Sequence, residues 1–425
     1  MIQYKGKYLF FLLLSGLFVF EVQANERLWY EGIEKGILSG EKVLLRIQQG
    51  ADSELLDEHG LTALMYALSV KADKNIVEQL VHHGAEVNVA NDKGVTPLMH
   101  AFRTRTKADI IDFLVKSGAD VNARDNDNMT PLMYAVWYGA EAEAIKVLIR
   151  KGIKINAIDD EEWTPLMMAA AYNDNPEVAE LLIKEGAQVN AQDKNGRTPL
   201  MLAVMHRHPE VISVLLKHGA SPDMVGSDGY NSLQRALRYK AGGEILQQLL
   251  THTRHVNITD SDGQSLIFYA LERNTPPSIL GELIRRGANL RHKDKYGWTV
   301  LMRAALFDNN EEKIEQLIEA GMNINEETDK YGWTALTVAA FYNATADNAY
   351  VLIKYGADVN HQDIGGYTPL MAAVYKNQSA DIVRVLLENG ADVNLRNGEG
   401  QTVFDLAKRN AHKEVVNLLN EYDKK

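Results

Sequence analysis

Side chains that could do chemistry are few and scattered in this sequence, so their spacing decides what they can be. Histidines come close together at His82 and His83, His206 and His208, and His252 and His255. A zinc site needs three or four ligands, and each pair falls where a helix end or turn is expected, which reads as solvated surface. Asp125, Asp127 and Asn128 begin like a calcium loop, but the twelfth position, which should supply a bidentate carboxylate, is Val136. Methionine recurs at Met65, Met99, Met133, Met167, Met201, Met302 and Met371. Thioethers suit copper(I), yet methionines so far apart cannot gather round one ion, and polarizable Met is an ordinary packing residue. They read as core or near-core. With no cysteine there is no thiol nucleophile, thiolate site or disulfide. A phosphate loop ending in Lys-Ser or Lys-Thr, H-E-x-x-H and G-x-S-x-G are all absent. The expectation is therefore a protein with no catalytic residues, no cofactor and no metal.

Charge narrows the partners. The 425 residues carry 45 basic and 57 acidic side chains, a formal charge of -12. Such a chain repels a phosphate backbone unless it has a strong local basic patch, and no basic run is visible, so nucleic acid is excluded. A hydrophobic content of 46% is ample for buried cores.

The first residues, MIQYKGKYLFFLLLSGLFVFEVQANE, place Lys5 and Lys7 before an apolar run over 8–20, followed by Val22 and Ala24 at small-residue cleavage spacing. Residues 1–24 are expected to be a secretory signal peptide. The run is shorter than the roughly 20 residues of an ordinary spanning helix, which favours cleavage over an uncleaved anchor. No membrane insertion is expected after cleavage, and the protein is expected to be periplasmic or secreted.

The methionines belong to a longer pattern. Three residues before each stands a threonine, and aligning on it gives Thr62, Thr96, Thr130, Thr164, Thr198, Asn231, Ser265, Thr299, Thr334, Thr368 and Thr402. Successive differences are 34, with one 33 (198 to 231) and one 35 (299 to 334). Each threonine sits at a helix N-cap, often with proline next, as at Pro97, Pro131, Pro165, Pro199 and Pro369, where the missing N–H costs nothing. A polar break follows, then a second helix marked by Val178, Leu181 and Leu182 in the Thr164 unit. Glycine ends that second helix at the position of Gly186, and a polar, turn-forming finger such as GADVNHQDIG leads onward.

TPLMxAA followed by EVxxLLxxGADVNAxDxxG resembles the ankyrin repeat across roughly residues 28–421. A tetratricopeptide array has a similar period but lacks the T-P-L opening and the G-A-D-V-N finger. The resemblance implies an all-α ankyrin-repeat solenoid of paired antiparallel helices with short hairpin-like fingers, about eleven repeats plus an N-terminal capping unit. The capping unit is expected at 25–57 and the array at 58–425, with a C-terminal cap near 397–425. Ankyrin repeats are normally 33 long. Comparing AVMHRHPEV with AAAYNDNPEV places the additional residue in the turn between the helices. Methionine also stands where the family usually has histidine. Units near 222–290 are degenerate: Asn231 and Ser265 replace threonine, and Thr253 replaces the glycine, where a left-handed non-glycine residue costs of order 1 kcal/mol. This stretch is expected to be the least stable.

The resemblance also implies that finger tips and first helices form the surface that reads a protein partner. On the residue before the threonine stand Trp163, Tyr230, Trp298, Trp333 and Tyr367; eight after it Tyr138, Tyr172, Tyr239, Phe307 and Tyr342; seven after it Trp137, Phe341 and Tyr375; and Tyr296 and Tyr331 add finger-tip rings. Aromatic anchors are enriched at protein interfaces; the competing reading is that these rings pack against neighbouring fingers and stiffen the array. The expected function is a non-catalytic protein-binding scaffold, with an exported effector or inhibitor acting by occlusion as the alternative. N-terminal sequencing of the mature protein is expected to begin at Asn25. A start at Met1 in cytoplasmic material would overturn the exported reading.

Overall fold

The computed structural model of the protein describes residues 39–49, 52–54, 56, 60–260, 262–272, 275–307, 310–342, 346–377, 379–410 and 413–422. The expected leader, 1–24, and the first part of the capping unit lie outside these residues. By contacts the chain divides into two compact units, Met1–Lys194 and Asn195–Lys425. In each, the described residues form helices in pairs, from Ala63–Ser69 with Lys74–His82 to Val403–Asn410 with Lys413–Tyr422, preceded by Gly40–Gln48. Among the described residues there is no strand beyond three isolated bridges, so the fold is an all-α repeat solenoid.

The Thr164 repeat shows why the sequence folds this way. Thr164 Oγ1 accepts the Met167 N–H (3.3 Å), and Pro165 takes the first helical position. Leu166 to Ala171 of the first helix are all buried, and the helix packs against Pro131–Trp137 of the preceding repeat and Pro176–Lys184 of its own. The second helix, Pro176–Lys184, is amphipathic: Val178, Ala179 and Leu182 face inward while Glu177 and Lys184 face water. Each fully buried leucine contributes about 2 kcal/mol, far more than the exposed Lys184–Glu180 ion pair, worth at most about 0.5 kcal/mol.

The recurrent methionines have a second role besides packing. They are buried, and in four repeats the sulfur accepts the backbone N–H of the capping threonine: Met99 from Thr96, Met133 from Thr130, Met167 from Thr164 and Met302 from Thr299, at 3.3–3.5 Å. The capping box normally uses Glu or Gln for this reciprocal bond. At Asn231 it does, since Gln234 Oε1 accepts the Asn231 N–H (2.9 Å). At Thr402 the Asp405 carboxylate takes the same part (3.0 Å).

Neighbouring repeats are joined by a side-chain clamp. The asparagine of the finger stem, at Asn88, Asn122, Asn156, Asn257, Asn325 and Asn360, donates its Nδ2 to the carbonyl of the next repeat's helix-ending glycine at 2.9–3.3 Å. Its Oδ1 accepts a backbone N–H two residues beyond that glycine at 2.7–2.9 Å. The glycines are left-handed, as at Gly118 (φ 95°) and Gly186 (φ 93°), which is why a side chain is costly there. Within the Thr96 repeat, His100 is buried with Nε2 2.6 Å from Ser69 Oγ of the preceding repeat, and its Nδ1 is buried without a hydrogen bond.

The spacing irregularities are both local. Three residues, 173–175, separate the helices of the Thr164 repeat, but only Arg207 and His208 separate Pro199–His206 from Pro209–Lys217; Arg207 is left-handed (φ 61°), as are Lys71, Arg105 and Lys240 in other inter-helix turns. The 35-residue interval comes from a finger one residue longer: the Trp333 N–H reaches Thr328 five positions back, where Trp298 reaches Asp294 four back.

The degenerate stretch is corrected in two places. Thr253 is not left-handed; its backbone is extended (φ -69°), the helix Gly243–His252 runs one turn-residue further, and the Thr253 hydroxyl donates to the Leu249 carbonyl (2.9 Å). The preceding clamp changes with it. Asp223 stands in place of asparagine and accepts the Arg254 N–H (2.9 Å), and because a carboxylate cannot donate, Arg286 supplies the bond to the Thr253 carbonyl (3.0 Å). The Asn231 cap is also intact, its Oδ1 accepting the Gln234 N–H (2.8 Å). What is left weak is the Ser265 repeat, where Ser265 Oγ is buried without a hydrogen bond and the reciprocal position is Phe268, which has no acceptor. Two unmade cap bonds cost about 1–2 kcal/mol, and solenoids open locally. Hydrogen exchange is therefore expected to find the helix Leu266–Glu272 opening before Ser232–Arg238 and Val300–Leu306; equal protection of the three would contradict it.

Candidate protein-binding face

Trp163, Trp298 and Tyr367 are held before the capping threonine by an aspartate of their own finger, whereas the Trp333 N–H goes to Thr328 and the Tyr230 N–H to Asp228. In the finger the aspartate Oδ1 accepts two backbone N–H groups, two and four residues on: Asp159 from Glu161 and Trp163, Asp294 from Tyr296 and Trp298, and Asp363 from Gly365 and Tyr367, at 2.8–3.0 Å. Asp125, half of the supposed calcium loop, does the same for Asp127 and Met129. The turn closes through a left-handed residue, Gly297 (φ 79°) or Gly332 (φ 69°) in the two YGWT fingers. The second carboxylate oxygen is then available to side chains: Asp125 to the Tyr134 hydroxyl (2.8 Å) and Asp363 to the Trp333 indole N–H (3.1 Å). Burial and the Asp125 carboxylate push the Tyr134 phenol well above the usual tyrosine range.

In the unit ending at Lys194 the expected rings come together as a near-parallel stack. Tyr138 lies against Trp137 (centroids 5.8 Å, 23°), Trp137 against Tyr172 (5.8 Å, 24°) and Tyr172 against Trp163 (5.7 Å, 19°). Acidic side chains Asp160, Glu161 and Glu162 stand exposed on the finger that carries Trp163.

In the unit beginning at Asn195 the rings form a tilted cluster. Trp333 touches Phe341 (4.9 Å) and Tyr342 (6.2 Å), Trp298 meets Tyr342 (5.9 Å), Tyr331 meets Trp333 (6.1 Å), and Tyr367 meets Tyr375 edge-on (6.2 Å). Tyr239 is exposed, and Phe307 is half-buried with its carbonyl accepting Asn348 Nδ2 (2.7 Å). Tyr230 departs from expectation: it is buried, its hydroxyl accepts from Arg238 (2.9 Å), and its ring meets Tyr269 edge-on. It is a framework ring, because the Tyr269–Asp260 hydrogen bond and Arg238 enclose it.

Two clefts open among these rings. One, of about 470 Å³, has walls of Tyr296, Trp298, Tyr331 and Tyr342 and is rimmed by Lys295, Arg303 and Lys330. The other, of about 350 Å³, lies between Trp333, Phe341, Tyr367 and Tyr375, with Asp363 and Ile364 at its edge. Lys330 and Tyr331 border both. Lys295 Nζ lies 5.5 Å from the Tyr296 ring centroid and Lys330 Nζ 4.9 Å from that of Tyr331. Interaction with the Tyr331 hydroxyl raises the Lys330 pKa above its ordinary value. These cations are a feature that reading for basic runs misses, since Lys295, Arg303 and Lys330 are dispersed along the chain; the duplicated Asp-Lys-Tyr-Gly-Trp-Thr was the available signal. Among the described residues, no three His, Asp or Glu side chains converge as metal ligands, and no helix is long and apolar enough to cross a membrane.

Family models of ankyrin repeats in three copies match residues 35–125, 68–159, 108–193, 166–262 and 266–363, and a many-copy ankyrin model matches 352–407. Comparison with curated proteins finds no match. Matches of that extent, over repeats whose caps and fingers the structure displays one by one, place the chain in the ankyrin-repeat family.

Proposed function

We propose that this chain is an exported scaffold, periplasmic or secreted, that holds a partner protein against the aromatic face built by its fingers and first-helix ends. Ankyrin repeats indicate protein–protein interaction and are generally non-catalytic. Export is supported by Lys5, Lys7, the apolar run and the Val22/Ala24 spacing.

The observation that carries the reading is the exposure of rings that the core does not need. Tyr296 is 66% exposed, Tyr331 and Tyr342 49%, Tyr375 48%, Tyr172 47% and Trp137 43%. Grouped apolar surface of this kind marks interaction sites, and aromatic rings give large contact area for little lost side-chain freedom. Trp298 and Trp333 are half-buried, and Trp333 also donates to Asp363, so these two serve framework and surface together. The informative substitutions are accordingly the exposed tyrosines.

A partner recovered from the exported fraction is expected to lose about 2 kcal/mol or more of affinity, roughly thirtyfold in Kd, for the Tyr331→Ala/Tyr342→Ala variant. The thermal midpoint of that variant is expected to stay close to the parent's, since surface substitutions away from caps and core change stability by about 0.5 kcal/mol or less. Titration of the purified partner and a thermal melt read the two quantities. Unchanged affinity in folded protein would overturn the aromatic face as the binding surface.

A further inference from the structure

The larger cleft is not merely aromatic. Its charged lining groups are Lys295, Arg303 and Lys330, with no carboxylate among them. Of the acids around it, Asp294 is buried beneath the rim with its side chain 5% exposed and faces Arg303 (Oδ2 to Nε 3.4 Å), Asp262 borders a small neighbouring pocket beside Lys295 and Arg303, and Asp329 lies 3.5 Å from Lys293. Lys295 and Lys330 are held over the Tyr296 and Tyr331 rings. In contrast to Lys293, which is paired with Glu326 (3.2 Å) and Asp329 (3.5 Å), neither makes an ion pair among the described residues. A chain of net charge -12 thus presents, above a floor of four rings, two lysines that form no ion pair among the described residues. The neighbouring cleft, across the shared Lys330–Tyr331 tip, is chiefly ring-walled, with the Asp363 carboxylate committed to Trp333, Gly365 and Tyr367.

We infer that these two clefts together read an extended acidic segment of the partner protein, an Asp or Glu entering the Lys295/Lys330 cleft and a large apolar side chain entering the Trp333/Tyr375 cleft. The inference rests on the scaffold reading above and gives its partner a chemistry. Charge complementarity selects the carboxylate, and the rings exclude water around it, which strengthens the attraction to the two ammonium groups. A nucleic-acid strand would offer similar anionic groups to the rings, but the overall charge opposes a polyphosphate. Packed helices of successive repeats lie about 10 Å apart, and an extended chain advances about 3.3 Å per residue. The acid and the apolar residue therefore stand about three positions apart in the segment.

The test uses the full chain and blocked synthetic peptides of about ten residues with a central glutamate and a phenylalanine three positions away. Companion peptides replace the glutamate by glutamine or the phenylalanine by alanine. Calorimetric titration at low and physiological salt is expected to show the parent peptide binding about tenfold more tightly than either companion, with the glutamate advantage shrinking at higher salt. Lys295→Glu/Lys330→Glu is expected to abolish that advantage, and Lys295→Arg/Lys330→Arg to keep it; the exposed positions leave the fold intact, checked by a thermal melt. No binding of the parent peptide, equal binding of the glutamine peptide, or indifference to the charge reversal each overturns the inference. Salt-sensitive self-association of the chain alone, lost on charge reversal, would put a second copy in the cleft and overturn it as well. Should the natural partner respond to Tyr331→Ala/Tyr342→Ala but not to the charge reversal, the scaffold reading stands and this one falls. Indifference of the partner to the tyrosine variant removes the scaffold reading itself.

Discussion

The last carbonyls of a helix have no partner inside it, so each second helix must be followed by a turn that supplies N–H groups, and that turn is where successive repeats are joined. In six repeats the second helix is followed by a left-handed glycine whose carbonyl is taken by an asparagine from the preceding repeat, the same asparagine accepting an N–H just beyond. Carbonyls of the helix's last turn are met within the repeat, by N–H groups at and just after the glycine such as Gly186 to Ile183 and Ala187 to Leu182, and the glycine's own outward carbonyl is what the neighbouring repeat takes. One departure is compensated. Where Asp223 replaces asparagine, the orphan carbonyl at Thr253 is satisfied by Arg286 from the following helix, and the helix ends in extended backbone instead of at a glycine. Three substitutions make sense together that look like decay when read singly.

The same economy separates framework from surface. The finger aspartate fixes the backbone with one oxygen, through the amides of the residues it brackets, whatever their side chains are. The backbone at the position before the threonine is therefore held alike under different side chains, buried at Val95 and Met129 and partly exposed at Trp163, Arg197, Gln264 and Trp298. Where that side chain is only partly buried, as at Trp298 and Trp333, an aromatic cluster is assembled across adjacent repeats on the same backbone frame.

Much of this was legible in the residues. The N-cap threonines, N1 prolines and terminal glycines announce the helix ends, and the lone 33-residue interval points correctly to the inter-helix turn. Register alone singles out rings that meet one another within each unit, but not the burial of Tyr230, which depends on Arg238, Asp260 and Tyr269 converging from two repeats, something no single repeat reveals. The sulfur acceptance by Met99 or Met133 was hidden for another reason, because methionine's packing role already accounted for it. The cationic rim went unseen since composition counts charges over the chain, whereas a cleft gathers them across neighbouring repeats.

His100 carries one more consequence. Its ring is shut between two repeats, and burial, with the Arg103 charge adding to it, lowers its pKa from 6.5 to about 4. The unfolded chain therefore takes up a proton on this side chain where the folded chain does not, and stability is lost as the pH falls from about 6.5 towards 4. At pH 5 this single linkage amounts to roughly 2 kcal/mol. Because stacking energies pass only between neighbours, the loss is felt at the junction of the Thr62 and Thr96 repeats rather than spread over the chain. Acidification would act on this array as a local seam that loosens, leaving repeats further along the chain at their neutral strength.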